Sequence, residues 1–267
     1  MKKTQPIGIF DSGVGGITVM SHIHDLLPDE SLAYVADSLY APYGLKSNHE
    51  ILDRSKAVID YLIKEKSVKL IVVACNTATA AAIKELRQLY EIPIVGMEPA
   101  IKPATKSTKC KRVGILATNG TLESAKFSAL LETYSGDIEF YTQPCPGLVE
   151  LIEQGRIDDL AIKNLIQKYL DPFINNEVDT IVLGCTHYIF IKNIIKNIMP
   201  SKVKIIDTGL AVAKQVKSEL EKFSLQSKSK ETSYSISTNS SNKDMEKVIR
   251  SITTKSDLKF SYFDSWG

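Results

Sequence analysis

Two cysteines carry the clearest chemistry in this sequence. Cys75 follows the apolar run Leu70-Ile-Val-Val-Ala and precedes Asn76 and Thr77; Cys185 follows Thr180-Ile-Val-Leu-Gly and precedes Thr186 and His187. Each reads as the last residue of a buried strand or the first of a turn, with polar side chains behind it and a helix starting just after. Helix N-termini leave N–H groups unpaired and carry positive potential, so a thiol there is expected to ionise below its ordinary value of about 8.5 and a carboxylate to bind nearby. A thiolate and a thiol on opposite faces of one small molecule could take a proton from carbon and return one. A single cysteine in such a run is ordinarily a small buried hydrophobe. Two at corresponding places call for another explanation.

The correspondence extends beyond the cysteines. Ile7-Gly-Ile-Phe10-Asp-Ser-Gly resembles Val113-Gly-Ile-Leu116-Ala-Thr-Asn-Gly, with Ile7 and Val113 106 residues apart, and the run from Leu32 meets one from Ile138 at the same spacing. The two cysteine-ending runs lie 110 residues apart. A repeat this long means duplicated domains, since solenoid periods are about 20–50 residues. Short β-branched runs near 6–10, 32–36, 69–74, 92–96, 112–117, 138–141, 179–184 and 203–206 alternate with amphipathic stretches, the α/β pattern of open, mainly parallel sheets covered on both faces. Before the helix at its N-terminus, Ser47-Asn-His-Glu50 reads as a capping box, and Ile51, Leu52, Val58, Ile59, Leu62 and Ile63 form one apolar stripe. The domain boundary is expected near Gly96 to Pro103. A helix over 208–223 and two short strands are too small for a core of their own and should pack back on the first domain. The expected division is 1–97 plus 208–267 and 98–207. The Ser-, Lys-, Thr- and Asn-rich stretch 224–244 reads as an exposed loop around one weak strand.

Ligands of open α/β sheets bind beyond the carboxyl ends of the strands, and the polar residues of this chain gather there. Asp11 and Ser12 follow the first strand, Thr118 its counterpart in the second half, and His187 stands where it could move a proton or hold a carboxylate. Gly13, Gly15 and Gly16, with Asp37 ending the second strand, suggest a dinucleotide fingerprint. Thr18 stands where that pattern needs its third glycine, and Asp11 would oppose a pyrophosphate. The glycines fit better as a place where backbone approaches a small anion. His22, His24 and His49 lie in helices away from strand ends, Cys110 lies between lysines and Cys145 between prolines; none is assigned chemistry.

The totals narrow the partners. Lys and Arg number 33 against 31 Asp and Glu in 267 residues, a net charge of +2 that makes no case for nucleic acid or membrane. The apolar stretch from Ile7 stops at Asp11, too short for an export signal, so a cytoplasmic protein with a small-molecule ligand is expected. Four dispersed cysteines without a CxxC give neither a disulfide framework nor a metal site, and no lysine follows a strand-end motif as a pyridoxal phosphate enzyme would need. No cofactor is expected.

At these residues the chain closely resembles the glutamate racemases of the aspartate/glutamate racemase family. The matching motifs run in order from Phe10-Asp11-Ser12-Gly13-Val14-Gly15-Gly16, through Ala36-Asp37-Ser38 and Pro42-Tyr43-Gly44, to Ala74-Cys75-Asn76-Thr77-Ala78. Leu116-Ala117-Thr118 with Gly120-Thr121, Gly147-Leu148-Val149-Glu150 with Glu153, and Gly184-Cys185-Thr186-His187-Tyr188 follow. The resemblance implies two similar α/β domains related by pseudo-twofold symmetry with the substrate between them. It implies cofactor-free interconversion of L- and D-glutamate, supplying D-glutamate for peptidoglycan, with Cys75 as base toward the D-isomer and Cys185 toward the L-isomer. Asp11 would assist Cys75 and His187 would assist Cys185. Asp11, Ser12, Pro42, Tyr43, Gly44, Asn76, Thr77, Thr118, Thr121, Glu153, Thr186 and His187 would line the substrate site. A homodimer is compatible with this reading. Starting at Met1, the chain is expected to lack the N-terminal extension tied in some relatives to activation by a cell-wall precursor. Ile189 departs from the pattern, where proline is common.

The residues alone leave alternatives. A relative acting on aspartate, a hydantoin or a maleate-like diacid would share the paired cysteines. An amino-acid-binding protein would share the two lobes, and a thiol redox protein would join Cys75 to Cys185.

Overall fold

The computed structural model describes residues 2–240 and 259–262. In the first half, β1 (Ile7–Asp11), α1 (Ile17–Leu26), β2 (Leu32–Ala36), α2 (Asn48–Lys66), β3 (Leu70–Val73), α3 (Asn76–Leu89) and β4 (Ile94–Gly96) alternate. The second half has α4 (Ile101–Ser107), β5 (Arg112–Ala117), α5 (Asn119–Leu122), α6 (Ala125–Tyr134), β6 (Glu139–Pro144), α7 (Leu148–Glu153), α8 (Leu160–Asn175), β7 (Thr180–Leu183), α9 (Lys192–Ile198) and β8 (Lys204–Ile206). The chain continues with α10 (Gly209–Lys222), β9 (Tyr234–Thr238) and β10 (Lys259–Tyr262).

The described strands form two sheets, in the orders β10-β9-β2-β1-β3-β4 and β6-β5-β7-β8, with every pair parallel. Exchanging β1–β4 for β5–β8 turns β2-β1-β3-β4 into the second sheet, so the sequence repeat is a repeat of topology. It is also one of register: Ile7 pairs with Leu70 and Val113 with Thr180, which preserves the spacings of 106 and 110 read from the sequence. One alignment shifts. Ile7 pairs with Leu32 and Val113 with Phe140, so the counterpart of Leu32 is Phe140 rather than Ile138. A slip of two residues keeps side chains on their faces, which is why the pattern concealed it.

β1, β2 and β3 are buried along their whole length because helices cover both faces. Ile9 and Val72 join α1 and α10 on one face, while Phe10 and Val73 join α2 and α3 on the other. The first of these clusters continues into the second half through Phe173, Ile181 and Leu183, and Val113, Ile115 and Val182 meet α4 and α6 in a third. The N-terminus of α2 carries the capping box: Glu50 N–H donates to Ser47 Oγ at 3.3 Å and Ser47 N–H to Glu50 Oε2 at 2.9 Å. Among the described helices none is long and apolar enough to cross a membrane.

The segment after α10 packs back on the first sheet as expected, and only its expected exposure is overturned. β9 lies between β2 and β10 with Ile236, Ser237 and Thr238 buried, rather than forming a weak strand in an exposed loop. Without it, β2 would leave a row of N–H and C=O groups unpaired at a sheet edge, and that backbone demand outweighs the polar composition. Positions 241–244 of that stretch lie outside the described residues.

Gly114 in β5 admits the Phe173 ring, which a Cβ would meet at 2.7 Å. Phe173 is fully buried in the cluster shared by both halves. Phe173→Ala is expected to cost about 3–5 kcal/mol, read as a lowered urea midpoint; a midpoint equal to that of the parent chain would contradict this packing.

Candidate active site

The duplicated topology brings the C-terminal ends of β1 and β3 opposite those of β5 and β7. Cys75 is the N-cap residue of α3, and its sulfur accepts the Ala78 N–H at 3.4 Å while lying 3.8 Å from Ser12 Oγ. The helix start does not lower this thiol as the sequence suggested. Burial pushes it up, the Asp11 charge adds to the effect, and the Ala78 N–H opposes them without prevailing.

Cys185 differs from its counterpart. A single 3-10 turn, Thr186–Ile189, follows it and α9 begins only at Lys192, so the expected helix start directly behind this cysteine is absent. A histidine takes that place. His187 Nδ1 lies 3.7 Å from Cys185 Sγ, and Nε2 lies 2.5 Å from Glu153 Oε1, which also accepts the Val14 N–H at 2.7 Å. Burial pushes the imidazole down, but the hydrogen bonds and charges of Cys185 and Glu153 carry it well above its ordinary value. The protonated ring is therefore favoured.

Asp11 is wholly buried. Its Oδ1 accepts Ser12 N–H at 2.7 Å and Ser12 Oγ–H at 3.3 Å; Oδ2 accepts Gly16 N–H at 2.6 Å and Thr186 Oγ–H at 3.0 Å. Burial raises this carboxyl, with His187 and the surrounding donors pulling the other way. The anions at the glycine-rich start of α1 are thus the protein's own carboxylates, Asp11 and Glu153. The glycines are needed for closeness: a Cβ on Gly13 would lie 1.9 Å from Glu153 Oε1, and one on Gly15 2.4 Å from Thr186 Oγ1.

A second seam joins the halves beside Cys75. Thr77 Oγ1 lies 2.8 Å from Thr118 Oγ1 and 3.2 Å from Thr121 Oγ1, and the last two are 3.1 Å apart. Gly44 packs on Thr118, and Pro42 and Gly44 share a small cavity with Thr118, Cys145 and Val149. Between Cys75 and Thr77, Asn76 is 3% exposed and neither its Nδ2 nor its Oδ1 has a hydrogen-bond partner. An orphaned buried amide is costly, so these two atoms are a donor and an acceptor suited to a polar ligand.

Sequence reading missed the group behind Tyr43. Its hydroxyl donates to Asp37 Oδ2 at 2.6 Å, and Arg54 Nε and an Arg54 terminal nitrogen donate to the same carboxylate at 3.0 and 2.8 Å. A signal existed: Arg54 interrupts the apolar face of α2 between Ile51 and Val58, at helical spacing from both.

Two equivalent parallel-sheet halves, each placing a thiol just past its third strand, define a class of duplicated α/β proteins with paired cysteines at facing strand ends. The chain belongs to the Asp/Glu/hydantoin racemase family, whose sequence profile matches residues 7–216. A glutamate racemase of Ectopseudomonas mendocina is 52% identical over 212 residues, 79% of this chain and 80% of that protein. The crystal structure of glutamate racemase isoform RacE1 from Bacillus anthracis superposes with a TM-score of 0.87 at 30% identity, covering 98% of each chain. A glutamate racemase from Francisella tularensis, solved in complex with D-glutamate, gives 0.84 at 28% identity, again over 98% of each. The mixed α/β fold with two sets of parallel strands is that of these enzymes.

Of the four cysteines only Cys110 is exposed, while burial raises the thiols of Cys75 and Cys145. Iodoacetamide at about pH 8 should therefore alkylate Cys110 well before either of these two, because the thiolate is the reacting form. Peptide mapping by mass spectrometry reads the order, and labelling of Cys75 at the rate of Cys110 would contradict the burial described.

Proposed function

We propose that this protein interconverts L- and D-glutamate without a cofactor, passing the α-proton between Cys75 and Cys185, and that it supplies D-glutamate for peptidoglycan from the cytoplasm. The observation that carries the reading is the pair of buried thiols just past the equivalent strands β3 and β7, in halves that touch through Asp11, Thr186, Val14 and Glu153. The proposed domains are 1–97 plus 208–267 and 98–207, with the substrate between them. Relatives named glutamate racemase favour glutamate over other small dicarboxylates.

An amino-acid α-proton is weakly acidic, so its removal needs a positioned base and donors for the charge that passes onto the carboxylate. In one direction the Cys75 thiolate takes the proton from one face of the α-carbon and the Cys185 thiol gives one to the other. The enzyme is left with Cys75 protonated and Cys185 ionised, ready for the reverse reaction. Cys75 serves as base toward D-glutamate and Cys185 toward L-glutamate. The protonated His187 supports negative charge at Cys185, and Asp11, whose charge raises the neighbouring thiol, moves the proton balance at Cys75. Asn76 and the hydroxyls of Thr77, Thr118 and Thr121 provide donors to the substrate carboxylates. Ser12, Pro42, Tyr43, Gly44, Glu153 and Thr186 complete the lining.

Cys75→Ala and Cys185→Ala should each lower racemisation by about 10³-fold or more while leaving the folded state intact. Circular dichroism of L-glutamate incubated with the purified chain reads the activity. Full activity in either folded variant would sink the mechanism.

A further inference from the structure

β9, which pairs with β2 in the first sheet, also leads to the loop between β2 and α2, which carries Pro42, Tyr43 and Gly44. Asn239, directly after β9, is 6% exposed. Its Nδ2 donates to Asp37 Oδ1 at 2.6 Å, and its Oδ1 accepts the Leu39 N–H at 3.0 Å. One amide thus grips both the carboxylate that receives the Tyr43 hydroxyl and the backbone of the loop itself. Apolar packing gives the loop little other support on its outer side, where Leu39 and Leu45 are 59% and 69% exposed. Asn239 also lies beyond residue 216, where the family profile ends.

We propose that Asn239 is a positioning residue for the substrate loop: by holding Asp37 and Leu39 together, it sets Tyr43 and Gly44 against Thr118. This rests on the reading of Pro42, Tyr43 and Gly44 as substrate-lining residues. Asn239 touches neither thiol nor their partners, so its loss weakens ground-state and transition-state binding alike and falls on KM rather than kcat.

The full-length chain and its Asn239→Ala variant are compared in two measurements. Hydrogen–deuterium exchange of the 38–45 loop, followed by mass spectrometry without substrate, should be faster in the variant. Steady-state racemisation in both directions should show KM raised about tenfold with kcat within about twofold. Loop exchange equal to that of the parent chain, or an unchanged KM in the folded variant, overturns the proposal. Should Asn239→Ala fail to fold, Asn239→Leu, which keeps the volume and removes both the donor and the acceptor, is read in the same way. Because exchange is measured without substrate, a parent chain inactive on glutamate would count against the racemase reading, and the loop exchange would still decide the role of Asn239 in ordering the loop.

Discussion

The buried carboxylate of Asp11 is the interaction on which the rest of the arrangement depends. A carboxyl wholly removed from water is tolerable only when donors surround it, and here they come from both halves: the Ser12 and Gly16 N–H groups on one side and the Thr186 hydroxyl on the other. Glu153 makes the reciprocal connection, reaching from α7 to the Val14 N–H in the turn before α1. The two sheets are therefore joined by hydrogen bonds at the strand ends where the two thiols lie. Gly13 and Gly15 are small because these crossings leave no space for a Cβ.

The thiols sit in unlike surroundings although their strands are equivalent. Cys75 has a helix start and a nearby carboxylate, and Cys185 has a short turn and a histidine backed by Glu153, whose hydrogen bond and charge help raise the imidazole above its ordinary value. The proposed exchange runs both ways and needs one sulfur ionised while the other is protonated, a condition that unequal neighbours suit better than identical ones.

Much of this was legible in the sequence because it rests on local pattern. The strand runs, the Ser47 capping box and the equivalence of Cys75 with Cys185 depend on residue type and spacing, and the register of β1 with β3 and of β5 with β7 follows the spacings read from the chain. What was not legible depends on desolvation and on partners distant in the chain. The start of α3 suggested a thiol poised to ionise, whereas burial beside Asp11 prevails at Cys75. The polar segment near residue 234 gave a strand that packs back on the first half but not its burial, because the demand comes from the otherwise unpaired edge of β2. Asp37 drew attention as a candidate ribose ligand and within the Ala36-Asp37-Ser38 motif, but its partners Arg54 and Asn239 lie 17 and 202 residues away.

The central claim is that the proton lost from one face of the α-carbon and the proton gained on the other pass through two thiols that exchange with solvent. Incubating L-glutamate with the protein in deuterium oxide and analysing the first D-glutamate formed by mass spectrometry tests this directly. The account predicts one α-deuterium in each newly formed D-glutamate, and D-glutamate that retains the original α-hydrogen would contradict it.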